Sequence, residues 1–391
     1  MSAGKDSLSC AIAFLIAAIG FVGISAFVFF SYPRSWRKNG TFTVLLGLWH
    51  LTGVTCLISV FTIYSRIHHE GLRHEISRIA TIYYIGLMLA ALMFLFRFVS
   101  STMYRFIARQ TGVKISVEPQ SWASDRKVHA AAFMAIAYTI ALIGYFNIDV
   151  LYRTDYEVNI PKTSSMEDLD ICLIADIHAG SGTWEYSYDD LAERIRQIDP
   201  DVLFIAGDVF DETTSDRDIA YVLRSLKEAG VMKYGSYFIY GNHDNPIEKE
   251  LSEKLKEVGV TILEDEMVTI GEDVQLIGLL DPKQRKADVV KVVEGLNPDR
   301  EKPLLLLTHR PSGFRRLSKA GIDLVMAGHT HGFNIPQFLG TPLFGDMFYG
   351  IKEYDSMKAI VTSGVSAWGF HYKWPAISEV VHIRLTFRKT D

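Results

Sequence analysis

The chain has 391 residues, of which 49% are hydrophobic and 22% charged, with a mean hydropathy of +0.14 and a formal net charge of −5. That apolar content excludes a disordered chain, and three cysteines exclude a disulfide framework. Residues 1–152 carry 13 Lys and Arg against 6 Asp and Glu, whereas the remainder carries 27 against 39, so the two parts are expected to face different solvents. The acidic second part argues against binding a nucleic-acid backbone, which requires basic surface.

Leu8 to Phe30 holds no charge over 23 residues, longer than the ~20 needed to cross a hydrocarbon core as a helix. Further apolar stretches follow, and four membrane-spanning helices are predicted at about 8–30, 42–64, 79–99 and 128–150. Glycines recur within them (Gly20, Gly47, Gly86, Gly144), as membrane helices tolerate. A cleaved leader is not expected, because the first apolar run exceeds the usual 7–15 residues and more spans follow. Loops 31–40 and 100–127, with Arg97, hold nine Lys and Arg against six on the opposite side. The positive-inside tendency then places both termini outside. The chain is thus expected to be a multi-pass inner-membrane protein with an extracytoplasmic second domain. His50 and His129 are expected to serve packing or the interface. His68, His69 and His74 are read as a solvated loop in preference to a third metal site.

From Tyr152 the pattern changes to short apolar runs broken by polar turns, and residues 153–391 are expected to form the second domain. Asp170–Ala175 is a buried-strand run ending in Asp176-Ile177-His178. Helical spacing over Tyr188–Ile198 leads to a strand at Asp201–Ala206, ending in Gly207-Asp208. A helix over 216–229 precedes the strand Tyr234–Tyr240, which ends in Gly241-Asn242-His243-Asp244. Pro303–Thr308 ends at His309, and Ile322–Ala327 ends at Gly328-His329-Thr330-His331. Alternating short strands and helices imply a largely parallel, covered sheet. Ligands bind where the carboxyl ends of such strands open.

Carboxylates, an amide oxygen and imidazoles at five strand ends suit Mn²⁺, Fe or Zn²⁺ rather than Ca²⁺. Seven ligands are too many for one tetrahedral ion and about right for two ions with a shared carboxylate. Two metals ~3.5–4 Å apart clamp the attacking and leaving oxygens of an in-line displacement at phosphorus. Any one of these motifs alone is ordinary turn chemistry; the five together, each at a strand terminus, are not easily accidental.

The set Asp176-x-His178, Gly207-Asp208, Gly241-Asn242-His243-Asp244, His309 and Gly328-His329-Thr330-His331 resembles the calcineurin-like metallophosphoesterase superfamily. Within it the chain resembles the bacterial branch of transmembrane proteins with a metallophosphoesterase domain, also at Tyr156-Glu157-Val158, at Gly278-Leu279-Leu280-Asp281-Pro282 and at Val361–Val365. The resemblance implies a β-sandwich flanked by helices, four layers ordered α/β/β/α, with mixed sheets in place of one open parallel sheet. It implies one divalent ion held by Asp176, His178 and His331 and another by Asn242, His309 and His329, with Asp208 bridging. Mn²⁺ is the expected metal, and a metal-bridging hydroxide is the expected nucleophile. His243 would act at the leaving oxygen, with Asp244 fixing its ring. The chain departs from the branch at Gly332-Phe333 and over Trp368–Pro375, which bears on substrate preference.

The implied function is a membrane-anchored phosphoesterase cleaving a phosphodiester or pyrophosphate of a lipid-linked or envelope substrate. UDP-2,3-diacylglucosamine-type hydrolysis fits the branch but is cytoplasmic chemistry, at odds with the expected orientation. The alternative is a non-enzymatic membrane receptor or scaffold that retains the fold; intact ligands at every motif speak against it. Phe333–Tyr349, rich in large apolar residues, has two readings: a loop packed on the core, or an acyl-chain contact beside the metals.

Overall fold

A computed structural model describes residues 21–62, 70–112, 125–180, 185–211, 214–244, 253–282, 288–334, 347–368 and 370–387. The chain divides into two compact units, Met1–Tyr145 and Phe146–Asp391.

The first unit is helical. Gly40–Thr62, Glu70–Thr111 and Arg126–Asn147 are helices, and all three are long and apolar enough to cross a membrane. Of the expected first span, 8–30, only the part from Phe21 is described, as the helix Phe21–Ser31; residues 1–20 lie outside the described residues. In hydrocarbon a segment must pair its own backbone groups, which a helix does. Small residues let the helices close on one another: a Cβ on Gly53 would lie 2.2 Å from the Tyr83 ring, and one on Gly86 would lie 2.6 Å from Tyr138. His50 Nδ1 sits 2.8 Å from the Tyr83 hydroxyl, a packing role. The His68–His69 loop and the side chain of His74 lie outside the described residues.

The second unit holds twelve described strands: β1 (Leu151–Ile160), β2 (Asp168–Ile174), β3 (Val202–Ile205), β4 (Ser236–Phe238), β5 (Val260–Ile262), β6 (Glu266–Ile270), β7 (Val274–Gly278), β8 (Leu304–Leu307), β9 (Leu324–Ala327), β10 (Gly350–Tyr354), β11 (Met357–Val361) and β12 (Ser378–Phe387). They form two six-stranded sheets, β1-β12-β2-β3-β4-β5 and β10-β11-β9-β8-β7-β6. Both are mixed. Strands β2 to β5 run parallel, but β12 enters antiparallel to β2; β7, β8, β9 and β11 run parallel between antiparallel β6 and β10. The single parallel sheet suggested by the strand–helix alternation is therefore not found. Strands β6 and β10 turn back on β7 and β11 through short hairpins, whereas β12 reaches β2 from about 200 residues away, where alternation carries no information.

Successive strand residues point to opposite faces, so these short apolar runs each serve two cores. Ile171 and Leu173 of β2 share one apolar cluster with Leu305 and Leu307 of β8. Cys172 and Ile174 lie with Tyr188, Leu191 and Ile195 of the helix Glu185–Ile198. Leu304 and Leu306 lie with Phe314 and Leu317 of the helix Phe314–Lys319. Most of the Phe333–Tyr349 loop lies outside the described residues; at its end Met347 and Phe348 are buried, Met347 within the third cluster, which favours core packing there.

Candidate metal centre

Strands β2, β3, β4, β8 and β9 all deliver their polar ends to one place. Asp176, His178 and His331 form one group whose donor atoms lie within 4.8 Å of one another, and Asp208, His309 and His329 form another. Asn242 joins the second through Oδ1, 3.2 Å from His309 Nε2. Asp208 Oδ2 faces both groups, 3.1 Å from His309 Nε2 and 3.7 Å from His178 Nε2. Its other oxygen accepts from the His243 amide at 2.8 Å. Asp176, His178, Asp208 and His309 are buried.

Each imidazole is aimed by what its other nitrogen touches. His309 Nδ1 donates to the Ala206 carbonyl at 2.7 Å, which leaves Nε2 for the centre. His331 Nδ1 faces the Ser366 carbonyl at 3.2 Å. His178 Nδ1 lies 3.4 Å from Asp211, a buried carboxylate that the sequence motifs did not single out. His329 turns Nδ1 toward His309, at 3.2 Å. Its Nε2 lies 2.9 Å from Arg310, whose Nε donates to buried Asp281 at 2.6 Å.

The backbone is bent to the same purpose. Asp176, His178, Asp208, His329 and His331 have φ between 45° and 76°, a region that non-glycine residues rarely adopt. Asp244 is buried and accepts from the amides of Asp208 at 2.6 Å and Gly241 at 2.9 Å, bracing the turn that carries Asp208. His243 is half-buried; its ring lies 5.1 Å from that of His178 and 5.2 Å from exposed Trp368. Behind His331, buried Lys373 donates to the carbonyls of Ser363, Gly364 and Ser366; burial lowers its pKa to about 8.

The electrostatics show what the centre wants. Burial opposes charge on His309, yet the carboxylates of Asp208 and Asp176 raise its pKa to about 9. Burial likewise opposes charge on His178, but Asp211 and Asp208 raise it above the ordinary histidine value. Burial, followed by the charge of Asp208, pushes Asp244 up to about 7. His329 goes the other way, to about 3, through burial and the neighbouring cations. Clustered carboxylates that draw protons onto buried imidazoles form a site that a divalent cation would fill by displacing those protons. The donors, oxygens and imidazole nitrogens without thiolate, suit such an ion.

A family model described as calcineurin-like phosphoesterase matches residues 169–333. The chain is 30% identical over 308 residues to an uncharacterized metallophosphoesterase of Helicobacter pylori, covering 74% of this chain and 80% of that protein. It is 27% identical over 247 residues to an uncharacterized metallophosphoesterase of Aquifex aeolicus, covering 60% of this chain and 92% of that one. A transmembrane protein with metallophosphoesterase domain from Danio rerio is 29% identical over 257 residues, 59% of this chain and 56% of that protein.

Proposed function

The chain belongs to the calcineurin-like metallophosphoesterases, and from that premise we propose that it is a membrane-anchored, dinuclear phosphoesterase. It cleaves a phosphodiester or pyrophosphate bond of a lipid-linked or envelope substrate. The observation that carries this reading is the pair of donor groups meeting at one carboxylate oxygen, Asp208 Oδ2.

Asp176, His178 and His331 would hold one divalent ion and Asn242, His309 and His329 the other, with Asp208 available to both. When bound, the pair supplies a water of lowered pKa and positive charge for the transferring phosphoryl group. The oxygen-and-nitrogen donor set favours Mn²⁺, with Fe or Zn²⁺ as alternatives. His243, half-buried at the rim, protonates or stabilises the leaving oxygen. Arg310, fixed through Nε by Asp281, presents its remaining N–H groups to a non-bridging phosphate oxygen, the forked recognition that guanidinium favours. Asp211 sets the ring of His178, and the Lys373 ammonium holds the carbonyls behind His331. Three apolar clusters support the stacking order helix, sheet, sheet, helix.

Tethering to apolar helices raises the concentration of the centre at a bilayer surface, which suits a lipid-linked ester. Extracytoplasmic placement of the catalytic unit, on the Lys and Arg distribution, makes an envelope phosphodiester the preferred substrate class. Full-length protein with Mn²⁺ should hydrolyse bis-p-nitrophenyl phosphate, and failure with Mn²⁺, Fe²⁺ and Zn²⁺ alike would leave the receptor or scaffold reading. Asp208→Asn should abolish turnover while the chain stays folded, because it removes the negative charge shared by two cations. Two bound ions and a near-native rate in that variant would contradict the bridging role.

A further inference from the structure

The helical unit contains a cationic pocket that the phosphoesterase centre does not use. A cavity of about 780 Å³ is lined by Arg97, Arg105, Arg126 and His129, with no Asp or Glu among its described lining residues. One Nη of Arg97 and Nδ1 of His129 are shut off from solvent and have no hydrogen-bond partner among the described residues. Such groups cost free energy unless a ligand satisfies them. The rest of the wall is largely aromatic, with Phe27, Phe94 and Phe98 on it.

Its depth is fixed by the sequence. Within the helix Glu70–Thr111 the uncharged run starts at Ile79 and ends at Phe96, just before Arg97. At 1.5 Å per residue that run is about 27 Å long, close to the ~30 Å hydrocarbon thickness. Arg97 therefore stands where acyl chains give way to headgroups. Arg126 and His129 open the next apolar helix, and Ser31, also on the wall, closes the helix Phe21–Ser31. All meet at one boundary of the span.

We propose that this pocket binds the phosphate of an anionic glycerophospholipid, held by Arg97 and Arg126, with the phenylalanines against its first methylenes. Guanidinium groups match phosphate in forked pairs, and basic pockets between membrane helices take lipid headgroups. A free phosphate ion would satisfy the cations but leave the aromatic wall without a partner, so the occupant is a lipid.

The test uses the full chain in neutral detergent, titrated with dioleoyl phosphatidylglycerol or dioleoyl phosphatidylcholine and read by native mass spectrometry. The parent should retain one phosphatidylglycerol in preference to phosphatidylcholine, and millimolar inorganic phosphate should not displace it. Arg97→Gln and Arg126→Gln should each weaken retention roughly fivefold, the value of one cation near an anionic headgroup. Hydrolysis of bis-p-nitrophenyl phosphate should be unchanged. Arg126 is exposed at a helix start, so Arg126→Gln decides the matter if Arg97→Gln fails to fold. Exposed Arg34 sits at the same boundary outside the pocket, and Arg34→Gln should keep the preference. Equal retention of both lipids, an Arg34→Gln loss matching that of Arg126→Gln, or displacement by inorganic phosphate would each overturn the proposal.

Discussion

Glycine stands beside the donors for a reason that only the folded chain displays. A Cβ on Gly241 would fall 2.1 Å from Asp208 Oδ1, and one on Gly328 would fall 2.7 Å from Asp176 Oδ2. Gly207 has φ +89°, and its Cβ would meet His309 Nδ1 at 2.8 Å. These glycines let backbone close onto the carboxylates, whereas in the sequence they pass for turn residues. The candidate donors themselves were legible, because each sits just past an apolar run and carries a metal-ligating atom. Asp211 and Arg310 were not, and Asp281 stood out only within a motif of the resembling branch, without a role, since their parts are defined by contacts across elements; the cues were Asp211 three residues past Asp208 and Arg310 directly after His309. His243 tests the division of labour. Neither donor group includes it, so His243→Ala should keep near-stoichiometric metal and lower kcat by about 10²–10⁴-fold. The loss should shrink for esters with good leaving groups such as p-nitrophenolate, and a leaving-group series on variant and parent measures it. Loss of an ion with the activity would make His243 a ligand instead.

At the level of elements, local signals place helices and strands while distant pairings decide the sheets. The helix Asp216–Ala229 matches its expected bounds because both ends are marked. Ser215 accepts from the Asp218 amide while Asp218 accepts from the Ser215 amide, and Gly230 follows the last turn. Strand β12 gave no comparable signal: it lies between β1 and β2, about 200 residues away along the chain. Its Glu379 reaches back to the turn behind the centre, accepting from the Ser363 amide at 2.8 Å and the Thr362 hydroxyl at 3.0 Å. Elements that frame the centre without touching it should affect stability alone. Ser215→Ala removes an N-cap worth about 1 kcal/mol, which for a unit of this size is a fall of roughly 2–4 °C in Tm. Metal content and kcat should not change; a lost ion in that variant would show that the helix cap reaches the centre.

For the whole molecule, composition divides the chain into a basic first part and an acidic second part, expected to face different solvents. Val44, Leu45, Leu48 and Leu51 are exposed on the helix Gly40–Thr62, as a bilayer requires and water does not. The two units should therefore answer differently to loss of metal. Every candidate donor belongs to the second unit, where buried Asp176, Asp208, Asp211 and Asp244 concentrate negative charge. A ligand that binds only the native state stabilises by RT ln(1 + [L]/Kd), about 2.7 kcal/mol at a hundredfold excess over Kd. At roughly 2–4 °C per kcal/mol, chelation should lower the midpoint of the second unit by about 5–10 °C for each ion removed. Hydrogen exchange resolved by peptide assigns the change: β2, β3, β8 and β9 should lose protection, while Gly40–Thr62 should keep it. Asp208→Asn should show a smaller shift on chelation, because it holds the ions less tightly and has less charge to leave uncompensated. An unchanged midpoint once elemental analysis confirms that all metal is gone would mean that the centre is built without help from its ions, and the shared role of Asp208 would fall with it.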